Sequence, residues 1–220
     1  VNYSVNEIFP SIQGEGAYTG TPSVFVRLQG CDVGCPWCDT KHTWDVEPSD
    51  IIPSANMIAK TGDAHGYAVM DQFELFETIR AYRITHIVIT GGEPLQHDLN
   101  PLIRLLLEAG NTVQLETSGT RPLDVPAGTY ITVSPKIGMS GAADFDPLTL
   151  QGASEIKMPI GRDRDLEALL AVLYASPVAE PLVYLQPLSQ SPKATDLCVQ
   201  AAMEHGFKVS IQIHKYLKVR

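Results

Sequence analysis

Strand-like and helix-like runs alternate along most of this chain, and that alternation restricts the fold more than any other feature. The strand-like runs are Val24–Leu28, His86–Thr90, Thr112–Thr117, Tyr130–Ser134, Ser154–Met158, Leu182–Gln186 and Lys208–Ile213. Several are nearly continuous in apolar and β-branched residues, the composition of strands covered on both faces. Helical patterns lie between many of them. Leu166, Leu169, Leu170 and Leu173 fall at i, i+3, i+4 and i+7, on one helix face. Asp98 or Asn100 caps a helix carrying Leu102, Ile103 and Leu106, which Gly110 ends. A further helix runs from about Pro192 to His205 and stops at Gly206; Cys198 shares its packed face with Ala194, Leu197 and Ala201.

Repeated βα units give a parallel sheet. A closed eightfold barrel takes about 250 residues, whereas this 220-residue chain spends roughly 70 before its second unit. The predicted fold is therefore α/β: a single domain over 1–220, built as a partial, open βα barrel with about six mostly parallel strands. Segment 46–72 has weak periodicity, two prolines and scattered acids, and reads as an insertion.

In such folds ligands sit at the carboxyl ends of the parallel strands. That rule selects Arg27 and Gln29, Thr90-Gly91-Gly92-Glu93, Glu116 to Gly119, Ser134-Pro135-Lys136, Lys157, Gln186-Pro187 and Gln212 to Lys215. All point into one mouth.

Just after the first strand comes Cys31-Asp-Val-Gly-Cys35-Pro-Trp-Cys38, a C-x3-C-x2-C loop. Disulfide geometry suits so short a loop badly, and soft thiolates favour a metal. On the triad alone two sites remain open. One is a Cys3His zinc centre completed by His42. The other is an iron–sulfur cluster, which ordinarily takes four cysteines and here would keep one iron for another ligand. His65, His86, His97 and His205 show no mutual ligand spacing and read mostly as surface or cap residues.

Composition narrows the partners. A net charge of −9 argues against a nucleic-acid backbone as the main ligand. No apolar run is long enough to span a bilayer, and the first residues lack the regions of a signal peptide. Clustered cysteines fit a reducing compartment, so the expectation is a cytoplasmic protein without membrane or nucleic-acid partners.

The cysteine loop after the first strand, with Gly91-Gly92-Glu93-Pro94 after the next, resembles the radical S-adenosylmethionine superfamily. That resemblance implies a [4Fe–4S] cluster on Cys31, Cys35 and Cys38, its open iron taking the amino and carboxylate groups of S-adenosylmethionine. Reduction then releases a 5′-deoxyadenosyl radical, which needs a closed site. Trp37, beside Cys38, suits a shielding role. Within the superfamily, Ser11 to Gly16, Arg27 to Cys31, Cys38 to His42, Glu116 to Gly119, Val133 to Lys136 and His214 to Leu217 together resemble the 7-carboxy-7-deazaguanine synthase family, in its compact form.

The resemblance implies a lyase that contracts 6-carboxy-5,6,7,8-tetrahydropterin to 7-carboxy-7-deazaguanine with loss of ammonia, toward queuosine, and that requires Mg2+. The radical arises on the cofactor, so no catalytic side chain is assigned. By the same resemblance Thr40 matches the Mg2+ ligand; Ile12, Gln13, Gly14, Arg27, Thr90, Glu116 and His214 match substrate contacts. Gly91, Gly92, Glu93, Ser134, Pro135, Lys136 and Gln186 match cofactor contacts. Chemistry agrees at several positions. A hydroxyl is a hard donor for Mg2+, Gln13 can offer both donor and acceptor to a pterin edge, and Arg27 can grip a carboxylate bidentately. Glu116 either meets the guanidine-like edge of the pterin or neutralises Lys136 or Lys157. The expected partners are the small pterin, an electron donor such as flavodoxin, and a second copy in a homodimer, because an open barrel leaves edges to cover. Two alternatives stand beside this reading: another radical enzyme (an activase or a different lyase), and a non-catalytic zinc module.

Overall fold

A computed structural model describes residues 1–61, 64–138, 143–175 and 182–219. β1 (Asn2–Ile12) pairs antiparallel with β2 (Pro22–Leu28). After α1 (Ser54–Ile58), β3 (Ala68–Asp71) pairs antiparallel with the start of β1. There follow α2 (Gln72–Arg80), β4 (His86–Gly91), α3 (Asn100–Glu108), β5 (Thr112–Thr117), β6 (Tyr130–Val133) and β7 (Glu155–Ile160). The chain continues through α4 (Asp163–Ala175), β8 (Leu182–Pro187), α5 (Pro192–His205), β9 (Lys208–Val209) and α6 (Ile213–Leu217).

The strands form one sheet in the order β3-β1-β2-β4-β5-β6-β7-β8-β9, with every neighbouring pair from β2 to β9 parallel. The order from β2 onward never reverses, so right-handed crossovers keep the helices on one face of the sheet. The other face curves around an interior. Among the described residues β3 and β9 are free ends, so the barrel is open, as the sequence predicts.

The strand inventory differs from the sequence reading in two respects. β1 carries no clean alternation, because its register against β2 slips between Val5 and Glu7, and a bulge breaks the period of two. Pro10 also disguises it, yet β3 covers only Asn2 to Val5, so Pro10 lies where that edge of β1 is open. The segment 46–72 holds α1 and the whole of β3, with Met57, Tyr67 and Met70 buried.

The middle strands are also not apolar on both faces. Val24, Val26, Leu28, Val113, Leu115, Ile131, Val133, Ile156, Met158 and Ile160 enter the core beneath the helices. The alternate residues Arg27, Glu116, Thr132, Lys157 and Pro159 line the interior. Successive side chains point to opposite faces of a strand, so this alternation separates core from site. Gly206 closes α5 at φ 72°, as read. At α3 the N-cap position falls on Leu99, which makes no side-chain cap bond, while Asp98 Oδ1, one residue earlier, accepts from Asn100 N–H at 3.2 Å. Cys198 is fully buried in the α5 face, where burial pushes its thiol up to about 11, and it lies apart from the cysteine loop.

Candidate active site

At the carboxyl ends of the strands a cavity of about 500 Å³ opens. Ile12, Gln13, Gly14, Arg27, Cys31, Cys35, Cys38, Thr40, Thr90, Gly91, Gly92, Glu116, Ser134, Lys136, Gln186 and His214 all line it. Two expected positions are placed differently. Glu93 is buried, and its carboxylate accepts from Thr117 Oγ1 at 2.7 Å, Leu95 N–H at 3.1 Å and Ser118 N–H at 2.9 Å. It braces the end of β4 against the end of β5. Pro135 sits between the wall residues Ser134 and Lys136.

The cysteine loop is fastened at its base. Gln29 donates to the carbonyls of His42 at 3.1 Å and Asp45 at 2.6 Å, while Gly30 N–H reaches Thr43 O at 2.7 Å. Cys31 N–H reaches Trp44 O at 3.1 Å. Gly92 then runs so close beneath that a Cβ would stand 2.1 Å from Gly30 O and 2.9 Å from the Cys31 Cβ. Only glycine fits there.

Burial pushes the Cys31 and Cys35 thiols up, and Lys136 works against it at Cys35. Lys136 is itself lowered by burial and donates to Ser134 Oγ at 2.8 Å. Trp37, the expected shield, lines the cavity with half of its surface exposed. Among the described residues no three His, Cys, Asp or Glu groups gather closely enough for a single metal ion. Cysteines that each bind a different iron need not converge so tightly, so three thiols on one cavity wall fit a cluster and leave one iron for another ligand.

Thr40 stands beside the triad. Its N–H donates to Cys38 Sγ at 3.4 Å, and its hydroxyl lies 3.5 Å from the same sulfur. Arg27 is half-buried, and Glu7 Oε1 takes its Nε at 2.8 Å, which orients the guanidinium. At Gly14 a Cβ would collide with His214 Nδ1 at 2.0 Å, and Ile213 N–H donates to Gly14 O at 3.1 Å. The absence of a side chain at Gly14 is what lets α6 settle over the cavity. Arg220 lies outside the described residues.

The floor is charged. Lys157 Nζ donates to Glu15 Oε2 at 2.6 Å and to Glu116 Oε1 at 3.1 Å, and Gln212 donates to Glu15 Oε1 at 2.6 Å. Glu116 therefore does neutralise Lys157. Its side chain is nonetheless 22% exposed and faces the cavity. Burial alone would raise the Glu15 carboxyl, but the charge and hydrogen bond of Lys157, helped by Gln212 and His214, pull it from 4.5 to about 2. Burial likewise opposes the charge on Lys157, yet Glu116 and Glu15 raise its pKa.

Glu15 was not among the expected contacts; its signal is an acid between two glycines just past β1. His86, read as a surface or cap residue, is buried beneath the floor, where its Nε2 lies 3.1 Å from Gln114 Oε1. It begins β4, so it points inward with the other alternate residues.

A thiolate triad on a glycine-lined wall, at the mouth of an open parallel barrel, defines a radical S-adenosylmethionine enzyme, and the Radical SAM superfamily profile matches residues 25–175. More narrowly, the chain belongs to the 7-carboxy-7-deazaguanine synthase family. It is 42% identical to the 7-carboxy-7-deazaguanine synthase of Escherichia coli K12 over the whole of both chains. It is 40% identical to that of Buchnera aphidicola, covering 99% of each. The crystal structure of QueE from Escherichia coli superposes with a TM-score of 0.92 at 42% identity, covering 96% of this chain and 94% of that one.

Proposed function

We propose that this chain contracts 6-carboxy-5,6,7,8-tetrahydropterin to 7-carboxy-7-deazaguanine with loss of ammonia, a step toward queuosine and related deazapurines. The observation that carries this reading is one cavity holding both the cysteine triad and the set Gln13, Arg27, Glu116 and Lys157. Cys31, Cys35 and Cys38 would hold the cluster; Gly91, Gly92, Ser134, Lys136 and Gln186 would hold S-adenosylmethionine, with Glu93 and Pro135 fixing the backbone of those segments. Together the two groups supply one-electron radical chemistry.

The chain's own residues do the rest. Arg27, oriented by Glu7, pairs with the substrate carboxylate. Glu116, paired with Lys157, accepts from the guanidine-like edge of the ring. Ile12, Gly14 and Thr90 shape the slot, and His214 closes it and keeps water out. Thr40 gives Mg2+ a hard oxygen, with substrate and water oxygens completing the shell. A one-electron donor such as flavodoxin would meet the cysteine loop, where Trp37 is half exposed. The free edges at β3 and β9 are surfaces that a homodimer would cover. Among the described residues no helix is long and apolar enough to cross a membrane; the clustered cysteines support a reducing, cytoplasmic setting.

Metal analysis after anaerobic reconstitution tests the reading. A brown protein whose cluster spectrum changes on adding S-adenosylmethionine is expected. A colourless protein with one zinc per chain contradicts it. Arg27→Ala should weaken the carboxypterin at least about tenfold, the scale of a lost charged pair, and unchanged affinity would remove Arg27 from its role. Thr40→Val should abolish the response to Mg2+.

A further inference from the structure

Lys136, just past β6, and Lys157, in β7, both line the cavity, yet they are neutralised differently. Lys157 has Glu15 at 2.6 Å and Glu116 at 3.1 Å. Lys136 donates to the neutral hydroxyl of Ser134 at 2.8 Å, and among the described residues no carboxylate forms an ion pair with it. Glu93 acts on it from farther off, but the oxygens of that carboxylate are taken by Thr117, Leu95 and Ser118. An ammonium set into protein without a counter-charge is costly, so such charges are paired or meet a ligand. Burial opposes the charged form of Lys136, and Cys35 is the first group that favours it, with Glu93 and Cys38 adding to the effect. Burial likewise opposes the thiolate of Cys35, and Lys136 is the first group that favours that. The lysine is held in place by the chain before it. Ser134 N–H donates to Thr117 O at 2.8 Å, and the buried Pro135 locks the backbone between them. Of the three ammonium hydrogens one goes to Ser134, which leaves two for the cavity.

We propose that the counter-charge of Lys136 is the thiolate-bound cluster itself, and that the fixed positive charge of this lysine raises the reduction potential of the cluster. The inference rests on reading the triad as the seat of an iron–sulfur cluster, and it goes beyond the holding of S-adenosylmethionine. When the cluster takes one electron from the donor, the donor is oxidised, the cluster gains one negative charge, and no bond forms or breaks. A cation held beside the thiolates, in a wall poor in solvent, favours the more negative state. Net charge and hydrogen bonding around the sulfurs are among the quantities that set such potentials. Lys157, with two carboxylates beside it, adds no net positive charge to that wall.

The test is an anaerobic redox titration of the reconstituted protein, followed by the paramagnetic resonance signal of the reduced cluster and run without S-adenosylmethionine. Lys136→Met removes the charge and keeps a side chain of similar length. It should lower the electron affinity of the cluster at least about tenfold, which is about 59 mV for one electron. Lys136→Gln still donates to Ser134 Oγ and should lower it equally, so it carries the test where Lys136→Met does not take up iron. Lys136→Arg keeps the charge and should stay close to wild type. A potential unchanged in the neutral variants, or lowered as far in Lys136→Arg, overturns the inference. A lysine that only grips S-adenosylmethionine would leave this potential untouched and weaken binding of that cofactor alone, and such a pattern also overturns it. Wild type that takes up no cluster overturns the reading of the triad itself.

Discussion

Lys157→Met removes the cation from the floor of the cavity while keeping a side chain of similar length. Lys157, Glu15 and Glu116 are only 8%, 15% and 22% exposed at their side chains, so the pairing is poorly screened by solvent. Holding the Glu15 carboxyl at about 2 instead of 4.5 corresponds to about 3 kcal/mol, at about 1.4 kcal/mol per tenfold in proton affinity. Breaking one partner of a buried ion pair costs about 3–5 kcal/mol by general experience, which agrees. For a chain of this size each kcal/mol moves the melting point by about 2–4 °C, so Lys157→Met should melt about 6–12 °C lower. The double variant Lys157→Met with Glu15→Gln should recover part of that loss, because the stranded carboxylate is gone. Differential scanning calorimetry under anaerobic conditions reads both. A loss under about 2 °C, with no recovery in the double variant, would refute the account of the floor as a buried charge network.

The remaining expectations concern pH and packing. The folded-state pKa of Glu15 is depressed, so its stabilisation is complete above about 4.5 and lost as pH falls toward about 2. That of Lys157 is raised, so its share is complete below 10.5 and lost only above it. The difference in urea midpoint between wild type and Glu15→Gln should therefore be flat from about pH 5 to about pH 9 and shrink below about 4.5. Gly92→Ala drives a Cβ against Gly30 O and the Cys31 Cβ, so iron bound after reconstitution should fall severalfold while α-helical circular dichroism is retained. Cys198→Ala opens a small hole in α5 packing, costing about 1 kcal/mol in denaturant melts, with iron content unchanged.

Legibility from sequence followed the physics of each feature. The cysteine loop and Gly91-Gly92 are local in sequence, so their spacing alone set them at one end of the barrel. The rule that ligands meet strand ends likewise gathered Arg27, Glu116, Lys136 and Gln186 before any coordinates. β1 was hidden because a bulge destroys its alternation, and β3 because its pairing partner lies some 66 residues away at the start of the chain, as Val5↔Ala68 and Asn2↔Asp71 illustrate. The floor was hidden for a different reason. Gln114, Thr132 and Glu155 each look like ordinary strand residues, and only the sheet register sets them side by side. Lys157 and Glu116 were visible as strand ends, but Glu15, the second acid paired with Lys157, comes from a separate loop.

The most direct test of the account is product analysis by mass spectrometry. The reconstituted protein would be incubated anaerobically with 6-carboxy-5,6,7,8-tetrahydropterin, S-adenosylmethionine, Mg2+ and a one-electron reductant. The account predicts 7-carboxy-7-deazaguanine and ammonia in equal amounts, and no product from a variant in which Cys31, Cys35 and Cys38 are replaced by alanine. Unaltered pterin in the wild-type reaction, from protein that carries a full cluster and binds the substrate, would contradict it.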